Sequence, residues 1–224
     1  MLPIRDTVPS KNFPLITLSI IALNVAFWFG LLTFGEEERR ALLMLLGVVP
    51  RRYTDAAWAA ELGLDPGNYL PFLSSMFLHG GWLHIILNMW VLWIFGDNVE
   101  DRMGWVRFTV FYLVCGVISA IAQVIAHPET VLPMVGASGA IAGVMGAYLF
   151  LYPRARVLTV IPIFFYPLFI EIPAVVFLLI WFVGQAISGI MAAVNGVEGG
   201  IAWWAHIGGF IAGVLLHRIF LKRR

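Results

Sequence analysis

Apolar runs long enough to cross a bilayer, separated by short charged or proline-bearing connections, recur from Leu15 to Phe220. With 61% hydrophobic and only 12% charged residues, and a mean hydropathy of +0.90, an ordinary soluble domain is excluded. At about 20 residues per crossing the chain holds about six spans and their connections, with no room for a sizeable soluble domain. The expected fold is therefore all-α, a polytopic membrane helix bundle of six transmembrane helices forming one domain over residues 1–224.

Residues 1–14 read as a short polar tail with Pro3, Pro9 and Pro14, and Leu15 to Phe34 as the first span. More spans follow and no small-residue cleavage site precedes Glu36, so this is read as a retained span and not a removed signal peptide. From about residue 36 to residue 77 charge runs alternate with apolar pieces too short to cross, and Pro66, Gly67 and Pro71 break any long helix. An amphipathic loop lying in the interface fits this pattern. The second span runs from about Trp82 to Phe95 and leaves through Gly96 to Arg102; the third runs from about Phe108 to Ala126. The fourth begins at Ser138 and stops at Tyr152, before Pro153. Between Val157 and Ala193 the apolar stretch is too long for one crossing, so Pro162 and Pro167 are read as a hydrophobic loop, with the fifth span starting near Glu171-Ile172-Pro173. The sixth follows from about Trp203 to Phe220.

The basic residues give the orientation. Arg5, Lys11, Arg102, Arg107, Arg154, Arg156, Arg218, Lys222, Arg223 and Arg224 fall on the side of the N-terminus, against Arg39, Arg40, Arg51 and Arg52 opposite, which puts both termini in the cytoplasm of a plasma (inner) membrane. No basic block points to nucleic acid. The lone Cys115 excludes an internal disulfide and reads as a small buried apolar residue.

Four polar residues then stand out against this background. Ser138 opens the fourth span within Gly136-Ala137-Ser138-Gly139, at a helix start with unpaired amides, and about fifteen residues at ~1.5 Å leave that start well short of a ~30 Å hydrocarbon layer. Irregular backbone at that depth must be buried in protein or reached by water. Counted from the cytoplasmic ends of their spans, His84, Asn88 and His206 fall in the same layer as Ser138, and polar groups in lipid normally face a bundle interior. His84 and Asn88, four apart, share one helix face. Gly209 and Gly213 on the sixth span, with Gly139, Ala142, Gly143 and Gly146 on the fourth, let those two helices approach closely enough for Ser138 and His206 to hydrogen-bond. A serine hydroxyl needs a base beside it, and neutral imidazole serves. The one carboxylate near a span, Glu171, lies at its cytoplasmic end, so the expectation is a Ser-His dyad with no third acid.

Three motifs, in order and on separate spans, carry a family resemblance: His79 to Asn88 (HGGWLHIILN), Gly136-Ala137-Ser138-Gly139, and Ala205-His206-Ile207-Gly208-Gly209 with Gly213. From about Pro14 to Phe220 the chain resembles the rhomboid intramembrane serine proteases. The resemblance implies Ser138 as nucleophile, His206 as its base, and His84 and Asn88 as side-chain donors to the oxyanion, joined by the Ser138 amide. It implies transmembrane proteins as substrates, met within the lipid bilayer. No group of residues in the sequence looks like a catalytic metal site, so no cofactor or metal is expected. Two departures are visible: Leu70-Pro71 stands where the family often has Trp-Arg, and Ala142 where some members have a tyrosine one turn after the serine.

His79 is read as structural, tying the long loop to the second span, and His127 and His217 as interfacial. Two rival classes remain beside the protease: a non-proteolytic binder of membrane helices, and a metal or ion permease using His79, His84 and His206. The spans lack the acidic residues expected of a coupled carrier. The fifth span and the loop from Asn195 to Ile201 are the expected substrate gate, with Trp181 and Trp90 as example positions for a cysteine cross-link between the fifth and second spans should they prove adjacent.

Overall fold

The computed structural model describes residues 1–163, 166–195 and 201–222. In chain order it runs β1 (Leu2–Asp6), α1 (Leu15–Leu32), the short helices α2 (Glu36–Leu46), α3 (Pro50–Thr54), α4 (Ala56–Glu61) and α5 (Pro71–Ser74), then α6 (Trp82–Met103), α7 (Trp105–Ala126), α8 (Ser138–Leu151), β2 (Arg156–Ile163), β3 (Tyr166–Pro173), α9 (Ala174–Val194) and α10 (Trp203–Phe220). Helices α1, α7 and α9 are long and apolar enough to cross a membrane, and Pro71–Phe77 with α6, bent by 92° at their junction, makes a fourth such unit. Helix α8 is apolar but only 14 residues long, about 21 Å. This is an integral membrane bundle, and among the described residues the five helices of 18 residues or more together with the shorter α8 are consistent with the expected six spans.

Helix α8 is the axis of the bundle. Every residue from Gly139 to Tyr148 is buried, as a helix apolar on all sides requires, and α10, α7 and α6 surround it. The approach of α10 is set by glycine: a Cβ on Gly209 would collide with the carbonyl of Gly139, and one on Gly213 with that of Gly143. Cys115 of α7 packs where a Cβ on Gly143 would sit, which bears out its reading as a small buried residue.

The second span does not end at Phe95. Helix α6 continues through Gly96 to Met103 and stops at Gly104, whose φ of +76° closes the helix in a conformation other residues rarely adopt. The acidic run read as an exit instead binds the start of the chain. Glu100 is buried and accepts from the Ile16 and Thr17 amides, each at 2.9 Å, and from Thr17 Oγ1 at 2.8 Å. These are first-turn amides of α1 with no partner inside their own helix, and a carboxylate is the acceptor their partial positive charge favours. Asp101 similarly accepts from the amides of Lys11 and Asn12.

The tail and the hydrophobic loop also turn out differently. Residues 2–6, 156–163 and 166–173 form an antiparallel sheet of order β1-β2-β3, with Pro3 opposite Thr159 and Leu158 opposite Glu171. Strand β1 lies along α6: Trp90 Nε1 donates to the Pro3 carbonyl at 2.7 Å, and Asn98 Nδ2 to Asp6 Oδ2 at 3.0 Å. Strands β2 and β3 rest against α9, so the sheet stands between α6 and α9. Pairing satisfies backbone groups that a loose apolar loop would leave unmet beside the spans.

The segment from Glu36 to Phe77 is a chain of short helices tied to the loop before Ser138. Arg52, 1% exposed, donates to the carbonyls of Asp65 at 2.8 Å and Leu45 at 3.1 Å, which gives the loop an internal clasp. Val48 and Met134 exchange backbone bonds of 3.0 and 2.8 Å, and the Gly136 amide donates to the Ser75 carbonyl at 2.9 Å.

Candidate active site

Ser138 is the first residue of α8, and the backbone that delivers it turns at Gly136, with φ +124°. That glycine is required twice over. The conformation disfavours a side chain, and a Cβ there would lie 2.6 Å from His84 Nε2 and 3.5 Å from Asn88 Nδ2. The donors of α6 thus face the peptide just before Ser138, as the four-residue spacing of His84 and Asn88 implies.

The glycine-mediated contact of α8 and α10 brings Ser138 Oγ to 2.7 Å from His206 Nε2. The other ring nitrogen, Nδ1, lies 2.6 Å from Gln185 Oε1 on α9. Two tryptophans flank the imidazole: Trp181 of α9 at 6.0 Å between ring centres and Trp203 edge-on at 6.3 Å. Trp181 stands beside His206 where this chain has only Ala142 on the serine's own helix.

Asn88 Nδ2 is 3.0 Å from His79 Nε2, and the His79 and His84 rings meet edge to face at 4.9 Å. His79 is 1% exposed and connects the loop to α6, the structural place expected of it. His217, by contrast, is not interfacial. It is buried, 2.7 Å from the Val214 carbonyl and stacked on Phe150 at 5.5 Å, because the last turn of α10 still packs against α8. His127 caps the end of α7.

Chemically the cluster offers a hydroxyl, a base within hydrogen-bond reach, and donors from α6 and from the unpaired amides at the start of α8. Glu171 is engaged elsewhere, 3.3 Å from Arg156 in the sheet. Among the described residues no three His, Cys, Asp or Glu side chains are placed to hold one metal ion. Gln185 is a site residue that the sequence did not single out, and Trp181, named there only with the gate, lies beside the imidazole. The signal for Gln185 is an uncharged amide four residues after Trp181 in a span with few other polar groups, less conspicuous than a carboxylate in the same place.

The model of the Rhomboid domain matches residues 66–223. The chain is 33% identical over 138 residues to rhomboid protease GluP of Bacillus subtilis (strain 168), covering 61% of this chain and 24% of that protein. It is 29% identical over 141 residues to the rhomboid protein YdcA of the same organism, covering 63% of this chain and 64% of YdcA. To the presenilin-associated rhomboid-like protein, mitochondrial, of Homo sapiens it is 32% identical over 166 residues, covering 69% and 40%. The chain thus spans less than two thirds of the length of each of these relatives.

Proposed function

Because the chain belongs to the rhomboid family, we propose that it is an intramembrane serine endopeptidase that cuts membrane-spanning segments of other proteins with a Ser138–His206 dyad. The observation that carries this reading is the 2.7 Å separation of Ser138 Oγ and His206 Nε2 at the start of a short, buried helix. His206 Nε2 takes the hydroxyl proton as Oγ attacks the scissile carbonyl. Negative charge then develops on that oxygen, where the Ser138 amide, His84 and Asn88 donate to it. His206 returns the proton to the leaving amine, and water hydrolyses the acyl-enzyme by the same route in reverse.

The permease reading finds no support in the same geometry, since both nitrogens of His206 have partners in Ser138 and Gln185. Substrate helices must unwind locally before cleavage, because a helix hides its carbonyls in its own hydrogen bonds; cleavage is expected near the outer end of the substrate span, at small residues with Gly or Pro nearby. The excess of basic residues on the N-terminal side supports both termini in the cytoplasm of a plasma membrane. Helix α9 is the proposed gate; residues 196–200, the rest of the gate expected from the sequence, lie outside the described residues.

The experiment is turnover of a transmembrane substrate by purified parent, Ser138→Ala and His206→Ala proteins, with labelling by a serine-directed fluorophosphonate. Both variants are expected to be folded and inactive, with only the parent labelled at Ser138. Turnover above background by folded Ser138→Ala would end the proposal, and an unlabelled, inactive parent would favour a helix-binding protein.

A further inference from the structure

His206 is held from a second side, by a helix that does not carry the nucleophile. Helix α9 presents Trp181 and Gln185, four residues apart and so on one face, and both reach the same imidazole: the indole at 6.0 Å and the Gln185 Oε1 at 2.6 Å from Nδ1. An amide oxygen only accepts, so this contact puts the ring proton on Nδ1 and leaves the Nε2 lone pair toward Ser138 Oγ. Were the amide reversed, its NH₂ would force the proton onto Nε2, which would then donate to the serine instead of deprotonating it. The orientation of one amide therefore decides whether His206 is a base.

We propose that Gln185 is a positioning residue for His206, selecting its productive tautomer, and that it makes the competence of the Ser138–His206 pair depend on where α9 stands. The proposal rests on the dyad reading. A glutamine suits the place better than the aspartate of a triad, since an ionised carboxylate at membrane depth is costly and a neutral amide fixes the ring without that penalty. Of the three helices long and apolar enough to cross a membrane on their own, α9 is the least buried, 22% against 28% for α1 and 44% for α7. An outward swing of α9 would withdraw Trp181 and Gln185 together, so the base is assembled only when the helix has closed again behind the substrate.

The test uses the full chain with a transmembrane substrate, comparing parent, Gln185→Leu, Gln185→Glu and Ser138→Ala, each checked by thermal melting. Gln185→Leu is expected to lower kcat about 10²-fold with KM unchanged, as misplacement of a catalytic group does, and to slow fluorophosphonate labelling in parallel. Gln185→Glu keeps an acceptor oxygen and is expected to recover most of that loss. Nitrogen NMR of His206 should show the Nδ1-protonated tautomer in parent and in Ser138→Ala, and a mixture in Gln185→Leu. Parent-like kcat and labelling in Gln185→Leu would overturn the proposal, as would a rate loss with an unchanged tautomer signal, which would mean packing alone. Turnover by Ser138→Ala would instead overturn the dyad itself, and the NMR readout, needing no activity, keeps the two failures apart.

Discussion

Asn88 shows how one side chain is shared between architecture and chemistry. Its Nδ2 carries two N–H bonds; one is directed to His79 Nε2 at 3.0 Å, leaving the other for the proposed oxyanion beside Gly136. Removing a single such donor typically costs ~10²-fold or more in rate. Asn88→Ala and His84→Ala are therefore each expected to reduce kcat by about that factor while fluorophosphonate still finds Ser138. His79→Ala should lose less, and through Asn88: in a double-mutant cycle His79→Ala should add nothing to Asn88→Ala. Independent, additive losses would show that His79 acts on its own.

At the scale of elements, the dyad depends on two helix backbones lying almost in contact. Gly209 faces the Gly139 carbonyl and Ser119 Cβ, so any branched side chain there forces α10 away from α8. Gly209→Val is expected to destabilise the bundle by about 1–3 kcal/mol, the usual cost of overpacking, and to separate Ser138 from His206. Melting in detergent measures the first and fluorophosphonate labelling the second. Labelling at the parent rate would mean that the bundle adapts without moving the dyad.

For the molecule as a whole, the sheet joins the start of the chain to the space between α6 and α9. Its anchor is Asp6, which accepts from Tyr148 and from Asn98 Nδ2. Burial pushes its carboxyl above the usual range, against the lowering effect of the Tyr148 hydroxyl and of backbone amides. The folded chain therefore binds this proton more tightly than the unfolded chain, and the stability due to Asp6 is greatest at acid pH and declines as pH rises through the raised pKa. Asp6→Asn, which keeps an acceptor, should at neutral pH be at least as stable as the parent, the difference vanishing toward acid. Asp6→Ala leaves two donors unmet and should cost about 1–3 kcal/mol. Melting curves across pH decide this; a parent that gains stability as pH rises relative to Asp6→Asn would contradict it.

The sequence by itself determined the membrane bundle, because apolar length is a local property that bilayer thickness converts directly into spans. It also determined the cluster of Ser138, His206, His84 and Asn88, since polar residues are conspicuous in apolar helices and helical spacing fixes which of them share a face. The continuation of α6 to Met103 was not legible: Asp97, Glu100 and Asp101 look like a solvated exit until the unpaired amides of α1 and the start of the chain are brought beside them. The sheet was hidden for a related reason. Strands β2 and β3 are mostly apolar along their length, so they lack the alternation that marks a strand, and β1 acquires its meaning only from Trp90, Asn98 and Tyr148, far away in the chain. Gln185 is visible in the sequence as an isolated amide in an apolar span, but its partner was decided by tertiary structure, because a hydrogen bond between side chains on two helices depends on their rotation and separation, which no single helix encodes.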